Sequence, residues 1–313
     1  MRIAGLWLLG ALAGCAAPRG QGGGFAPRTR AVDAQGLSIH TRTVGGADGS
    51  PALILIHGGP GLSSDYLTAL DRLATAKLRV VTYDQRGVGK SGRLPRRDGR
   101  PDPSDFTIAK SVADLEAVIA SLGAPRVHLL GHSWGGMIAQ AYAAAHADKI
   151  ASLSLVSAIP PTAAGFQAGL SRMTVRIGEL QKEGLIPEKT PAPRGEDCSA
   201  SVGAVMPAYF ANPKQPPTDE LKATTCHNGI GEATRPHLAS FDFRDALAKV
   251  RGPALVFEGK ADPVGVGWAD ESAAALSNAQ VDKVEPDACG HFPWVECPQA
   301  FFAAVEKVLG ADR

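Results

Sequence analysis

The run Gly131-His132-Ser133-Trp134-Gly135 places a serine between two glycines, after an apolar stretch and before a helical pattern. A serine hydroxyl attacks a carbonyl only when a base takes its proton as it attacks. A tight strand-to-helix turn lifts such a hydroxyl above a sheet and aims the N-terminus of the next helix at it, provided glycines leave room for neighbouring backbone. Ser133 is therefore the expected nucleophile. Of the eight histidines, His291 is the expected base, because Cys289-Gly290-His291-Phe292 follows the last strand-like run. His132 adjoins the nucleophile, but its ring is expected to point away and to serve packing or hydrogen bonding. An imidazole base needs a carboxylate that fixes its tautomer and stabilises the imidazolium. Asp262 in Gly259-Lys260-Ala261-Asp262-Pro263 follows the strand-like run 254–258 and is the expected acid.

Attack on a carbonyl builds an oxyanion that preorganised N–H groups can hold. Trp134, next after the nucleophile, supplies one expected donor. Gly59 in His57-Gly58-Gly59-Pro60-Gly61 supplies the other, since glycines let backbone approach a substrate closely. A phosphate loop is excluded because no Gly-Lys-Ser/Thr follows. No motif implies a metal or an organic cofactor.

The elements that must hold these residues alternate. Residues 31–44 read as a hairpin, and 52–56, 79–82 and 127–130 are apolar runs suited to strands buried on both faces. Leu67, Leu70 and Leu73 recur at helical spacing between the first two runs, and 108–122 and 135–146 carry helical stripes. Strands at 151–156, 253–258 and 281–284 and helices at 269–276 and 299–309 complete an α/β pattern. It implies a mostly parallel, twisted sheet with helices on both faces and a site at the strand carboxyl ends. Residues 31–159 and 246–313 form the expected core. Between them 160–245, rich in Pro, Gly and small polar residues, reads as an inserted cap with only short helical stretches.

Together these residues resemble the prolyl aminopeptidase (proline iminopeptidase) family of α/β-hydrolases. The likeness lies in His57-Gly58-Gly59-Pro60-Gly61, Asp84-Gln85-Arg86-Gly87-Val88-Gly89-Lys90-Ser91, Gly131-His132-Ser133-Trp134-Gly135-Gly136, Gly259-Lys260-Ala261-Asp262-Pro263-Val264 and Gly290-His291-Phe292-Pro293-Trp294-Val295-Glu296. The order Ser133, Asp262, His291 is the α/β-hydrolase order. The resemblance implies hydrolysis of an N-terminal residue, often proline, from short peptides, with cap carboxylates binding the free amino group. The cap departs from that pattern, having no tryptophan between Pro160 and Phe243. Glu179, Glu183, Glu196, Glu220 and Glu232 are its candidate carboxylates. Two other readings stand beside the aminopeptidase: a carboxylesterase with the same core, and a catalytically silent envelope lipoprotein that binds a ligand.

The 32 basic and 31 acidic side chains of the 313 residues nearly cancel, which gives no footprint for nucleic acid and leaves a small substrate as the expectation, one that the resemblance makes a peptide or an ester. Residues 1–14 read as an export leader whose apolar run is too short to span a bilayer. Leu12-Ala13-Gly14-Cys15 resembles a bacterial lipobox, which implies a lipid on Cys15, a flexible tether over 15–30 and a place in the bacterial cell envelope. Cleavage near Ala16-Ala17 without lipid and a buried helix are the alternatives. With Cys15 lipidated, Cys198, Cys226, Cys289 and Cys297 remain. Four cysteines allow three pairings, and sequence clustering favours Cys198 with Cys226 and Cys289 with Cys297. Zinc is disfavoured by the spacing, and free buried thiols remain open.

Overall fold

The computed structural model describes residues 24–310. The leader, Cys15 and most of the tether lie outside the described residues. Strand β1 (Arg28–Ala34) pairs antiparallel with β2 (Leu37–Gly45), so the last three residues expected in the tether are strand, with Arg28 opposite Thr43. The chain continues through β3 (Ala52–Ile56), a 3₁₀ helix (Asp65–Leu73) and β4 (Arg79–Tyr83). A two-residue ladder, β5 (Arg96–Arg97) with β6 (Arg100–Pro101), leads to α1 (Ile108–Ser121), β7 (Val127–His132), α2 (Trp134–Ala145) and β8 (Ile150–Val156). After the cap come β9 (Pro253–Phe257), a helix Trp268–Ala275, β10 (Gln280–Val284) and two consecutive helices, Pro293–Glu296 and Pro298–Leu309.

Eight strands form one sheet in the order β1-β2-β4-β3-β7-β8-β9-β10, parallel from β4 onward. The continuous apolar runs follow from burial on both faces. In β3, Ile54 and Ile56 pack in one core with Leu115 of α1 and Met137 of α2. Leu53 and Leu55 point into a second core with Leu67, Leu70, Leu73, Phe301 and Val305. Alternation in a strand thus sends successive side chains into two different helix layers. The three leucines fall exactly three apart, which is the period of a 3₁₀ helix, and that is the helix they form. Local signals bound α1: the Thr107 side chain accepts from the Lys110 N–H at 3.1 Å, and Gly123 at φ +63° follows its end.

The cap is more helical than its composition suggested. It opens with α3 (Ala163–Lys182), a helix of 20 residues, followed by α4 (Ser199–Val205), α5 (Asp219–Ala223), α6 (Ile230–Thr234) and, at its far boundary, α7 (Arg244–Leu247). Glycine disfavours helix interiors, yet Gly169 lets α3 lie against Trp268, where a Cβ would come within 2.2 Å of the indole. The indole N–H also donates to the Gly165 carbonyl at 2.9 Å. Packing here outweighs propensity. The cap leaves and re-enters the core side by side, through the bridge between Thr162 and Asp242. No helix among the described residues is long and apolar enough to cross a membrane.

Candidate active site

Strands β3 and β7 are neighbours whose following segments depart in opposite directions, toward β4 on one side and β8 on the other. Such a switch point opens a crevice at the strand carboxyl ends. His57-Gly58-Gly59 leaves β3 there, and Ser133 leaves β7.

Ser133 is held at φ 55°, ψ −120°, a conformation side chains rarely adopt. Its N–H donates to the Val156 carbonyl at 3.1 Å, while its own carbonyl accepts from Gly136 and Ile159 at 3.0 and 3.1 Å. The glycines are required by close approach: a Cβ on Gly135 would lie 2.0 Å from the Ile56 carbonyl oxygen, and one on Gly131 would lie 2.5 Å from the Gly135 oxygen. The Ser133 side chain stays partly exposed at the N-terminus of α2.

Asp262 and His291 come together across 29 positions, with His291 Nδ1 donating to Asp262 Oδ2 at 2.7 Å. Asp262 is fully buried and its second oxygen accepts the Val264 N–H at 3.0 Å. The His291 loop is fastened on several sides. Its own N–H donates to the Tyr209 carbonyl at 3.0 Å. The Glu296 carboxylate accepts from Ala211 at 2.7 Å, Gly290 at 3.1 Å and Phe292 at 3.4 Å. Burial raises the Glu296 carboxyl, and these N–H donors oppose the rise. A disulfide between Cys289 and Cys297 closes the same loop.

On the other side, the Gly58 N–H donates to Tyr66 Oη at 2.5 Å, and a Cβ on Gly58 would meet the Ser133 Cβ at 3.1 Å. Cap residues clamp the end of this loop. Ser63 donates to Thr225 at 2.9 Å, His227 donates to Gly61 at 2.8 Å, and Leu62 pairs with Cys226, which is bridged to Cys198. Both favoured cysteine pairings are thus the ones the structure forms. Beneath the loop, His57 Nε2 accepts the Gln85 N–H at 3.0 Å, and the Trp134 indole donates to Gln85 Oε1 at 2.8 Å. Arg86 pairs with buried Asp114 at 2.7 Å, so its role is structural.

Ser133, Gly59 and His291 share one cavity of about 300 Å³ beneath the cap. Val202, Met206, Tyr209, Leu221 and Phe292 form apolar wall, and Lys222 is the charged side chain on the lining. None of the five cap glutamates lines it. Glu196 borders a separate cavity with Lys90 and His227, Glu179 a groove beside Arg172, and Glu232 a third with Arg96. Sequence reasoning missed Tyr66 and gave Glu296 no role, although the latter sits in a family-like string.

This sheet, with a serine in a strained strand-to-helix turn that lines one cavity with the imidazole of an imidazole–carboxylate pair, defines the α/β-hydrolase architecture. A family model described as "Alpha/beta hydrolase family" matches residues 53–305, and the chain belongs to that family. A proline iminopeptidase of Lactobacillus helveticus (strain DPC 4571) is 28% identical over 289 residues, covering 88% of this chain and 95% of that protein. The crystal structure of a proline iminopeptidase from Mycobacterium smegmatis aligns with a TM-score of 0.64 at 20% identity, over 91% of this chain and 98% of that one. An esterase from Exiguobacterium antarcticum aligns with a TM-score of 0.66 at 20% identity, over 89% and 98%. The two structures share the fold.

Proposed function

We propose that this chain is a serine hydrolase that passes a small, uncharged acyl group to water through an acyl-enzyme on Ser133. The observation that carries the reading is the 2.7 Å bond from His291 Nδ1 to Asp262, which leaves Nε2 as the proton acceptor in the cavity that also holds Ser133. His291 takes the Ser133 proton as Oγ attacks the carbonyl carbon, and Asp262 stabilises the imidazolium. The oxyanion is received by the Trp134 N–H and by one donor from the β3 loop. Gly58 has given its N–H to Tyr66 and Pro60 has none, so Gly59 is that donor. Each such donor is worth about 3 kcal/mol of barrier. His291 then returns the proton to the leaving group, and water, activated by the same imidazole, releases the acid.

The lining supports an ester with an apolar acyl group. No carboxylate lines the cavity to pair an entering α-ammonium, and Lys222 directs its own ammonium to Asp219 at 3.1 Å; an unpaired charge is expensive to desolvate. A second reading, release of N-terminal proline or another residue from short peptides, is favoured by the proline iminopeptidase relative. Turnover of short-chain aryl esters against proline arylamides ranks the two, and faster arylamide turnover overturns the ester reading. Fluorophosphonate labelling lost in Ser133→Ala supports the mechanism, whereas an unlabelled wild type leaves the silent binding lipoprotein.

Cys15 as a lipid attachment site, with the enzyme tethered on the periplasmic side of the bacterial envelope, belongs to the same proposal. Two disulfides suit an oxidising compartment.

A further inference from the structure

The buried polar groups around Ser133 and His291 form one chain of hydrogen bonds whose direction chemistry fixes. The Gly58 N–H can only donate, so Tyr66 Oη accepts it at 2.5 Å. The carbonyl of His291 can only accept, so His132 Nε2, 2.9 Å away, carries a proton. Tyr66 Oη lies 2.8 Å from His132 Nδ1. With its lone pair facing the Gly58 N–H, the phenol gives its own proton to a bare Nδ1. The chain therefore runs Gly58 N–H to Tyr66 O–H to His132 Nδ1, and His132 Nε2–H to the His291 carbonyl, with His132 neutral in a single tautomer.

Its surroundings agree. Tyr66 and His132 are 1% and 2% exposed, within an aromatic box of Phe292 and Trp294. Burial, then the nearby His291, holds His132 well below the usual histidine range. The two imidazoles stand with centroids 4.8 Å apart. A positive His132 would oppose the imidazolium that His291 becomes in each acyl transfer, and a neutral one does not.

We infer that Tyr66 and His132 are positioning residues that hold the β3 loop and the His291 loop in register across the nucleophile. This inference rests on the acyl-enzyme reading above. Tyr66 fixes the Gly58 amide and so orients the following N–H of Gly59, and His132 fixes the backbone that carries the base. Neither group takes part in bond making. Both act on donors and a base that matter most in the transition state, so their loss falls on kcat rather than on KM.

The test compares wild type, Tyr66→Phe, His132→Phe and His132→Gln on an aryl ester, with thermal melts alongside. Tyr66→Phe keeps the ring and removes the hydroxyl, and a fall in kcat of about 10- to 100-fold with KM within about threefold is expected, short of the loss from deleting an oxyanion donor. His132→Phe falls similarly. His132→Gln, whose amide offers one acceptor and one donor, recovers most of the activity. The inference is overturned if Tyr66→Phe keeps wild-type kcat, if kcat and KM deteriorate together, or if Gln rescues no better than Phe at equal melting temperature. Failure of the acyl-enzyme reading appears separately, as a wild type whose turnover survives Ser133→Ala.

Discussion

Replacing Gly135 by alanine puts one methyl group where α2 meets the end of β3. The new Cβ would lie 2.0 Å from the Ile56 carbonyl oxygen and 2.7 Å from that of His57. Both neighbours are backbone and cannot rotate away. Real Cβ contacts essentially never fall below 3.0 Å, so the two elements must separate by at least 1.0 Å. Overpacking of this kind costs about 1–3 kcal/mol, which for a domain of this size lowers Tm by about 2 °C per kcal/mol. The larger effect is on chemistry, because the separation moves the Gly59 N–H away from Ser133. A misplacement of roughly 1 Å in a catalytic constellation costs about 100-fold. The rate of fluorophosphonate labelling and a thermal melt read the two effects. Gly178 in α3, where a Cβ meets nothing within 4 Å, is the control. The same substitution there adds up to about 1 kcal/mol of stability and leaves labelling unchanged. If Gly135→Ala labels within twofold of wild type and melts within 1 °C of it, the geometric reasoning for the turn fails.

Other outcomes follow from the same geometry. Loss of the Cys289–Cys297 bridge, which spans 8 positions, costs about 2.5 kcal/mol on the chain-entropy scale, and loss of Cys198–Cys226, which spans 28, about 3.6 kcal/mol. Urea midpoints of the double serine variants measure both, and unchanged labelling after reduction would show that neither bridge holds the site. Burial and the neighbouring Asp262 push the Glu258 carboxyl well above the usual range, so folding favours its protonated form. The stability tied to this proton is complete below the unfolded value of about 4.3 and is lost as pH rises through the folded value. Glu258→Gln should therefore gain on wild type in urea midpoint as pH rises, and parallel curves would contradict the assignment. Cys15→Ala should shift the enzyme from membrane to soluble fractions, and unchanged fractionation removes the lipid anchor.

The residues readable from sequence are those whose constraint is local. Gly131 and Gly135 announce Ser133 because a strained turn excludes side chains within a few positions of it. Asp262 and His291 each follow a strand, and their order along the chain is itself informative. Tyr66 was not readable, because its partners Gly58 and His132 are 8 and 66 positions away and nothing near it marks a buried hydroxyl. The length of α3 was hidden for a related reason: Gly169, one of the glycines that argue against a helix, is the one that admits Trp268. Cap carboxylates were named by residue type alone, and their placement depended on packing among segments far apart in sequence.

The clamp of residues 61–63 by 225–227 bears on how such a protein can change its substrate. A cap hinged only at its base could be exchanged whole, leaving the machinery below untouched. Here the strip that carries Thr224 and Cys226 both lines the cavity and, through Thr225 to His227, fastens the loop that follows Gly59. New specificity is therefore most accessible by side-chain replacement on α4 and α5, at Val202 or Leu221, where the wall can be recut while the stitched strip stays in place. A transplanted cap would have to bring its own stitch.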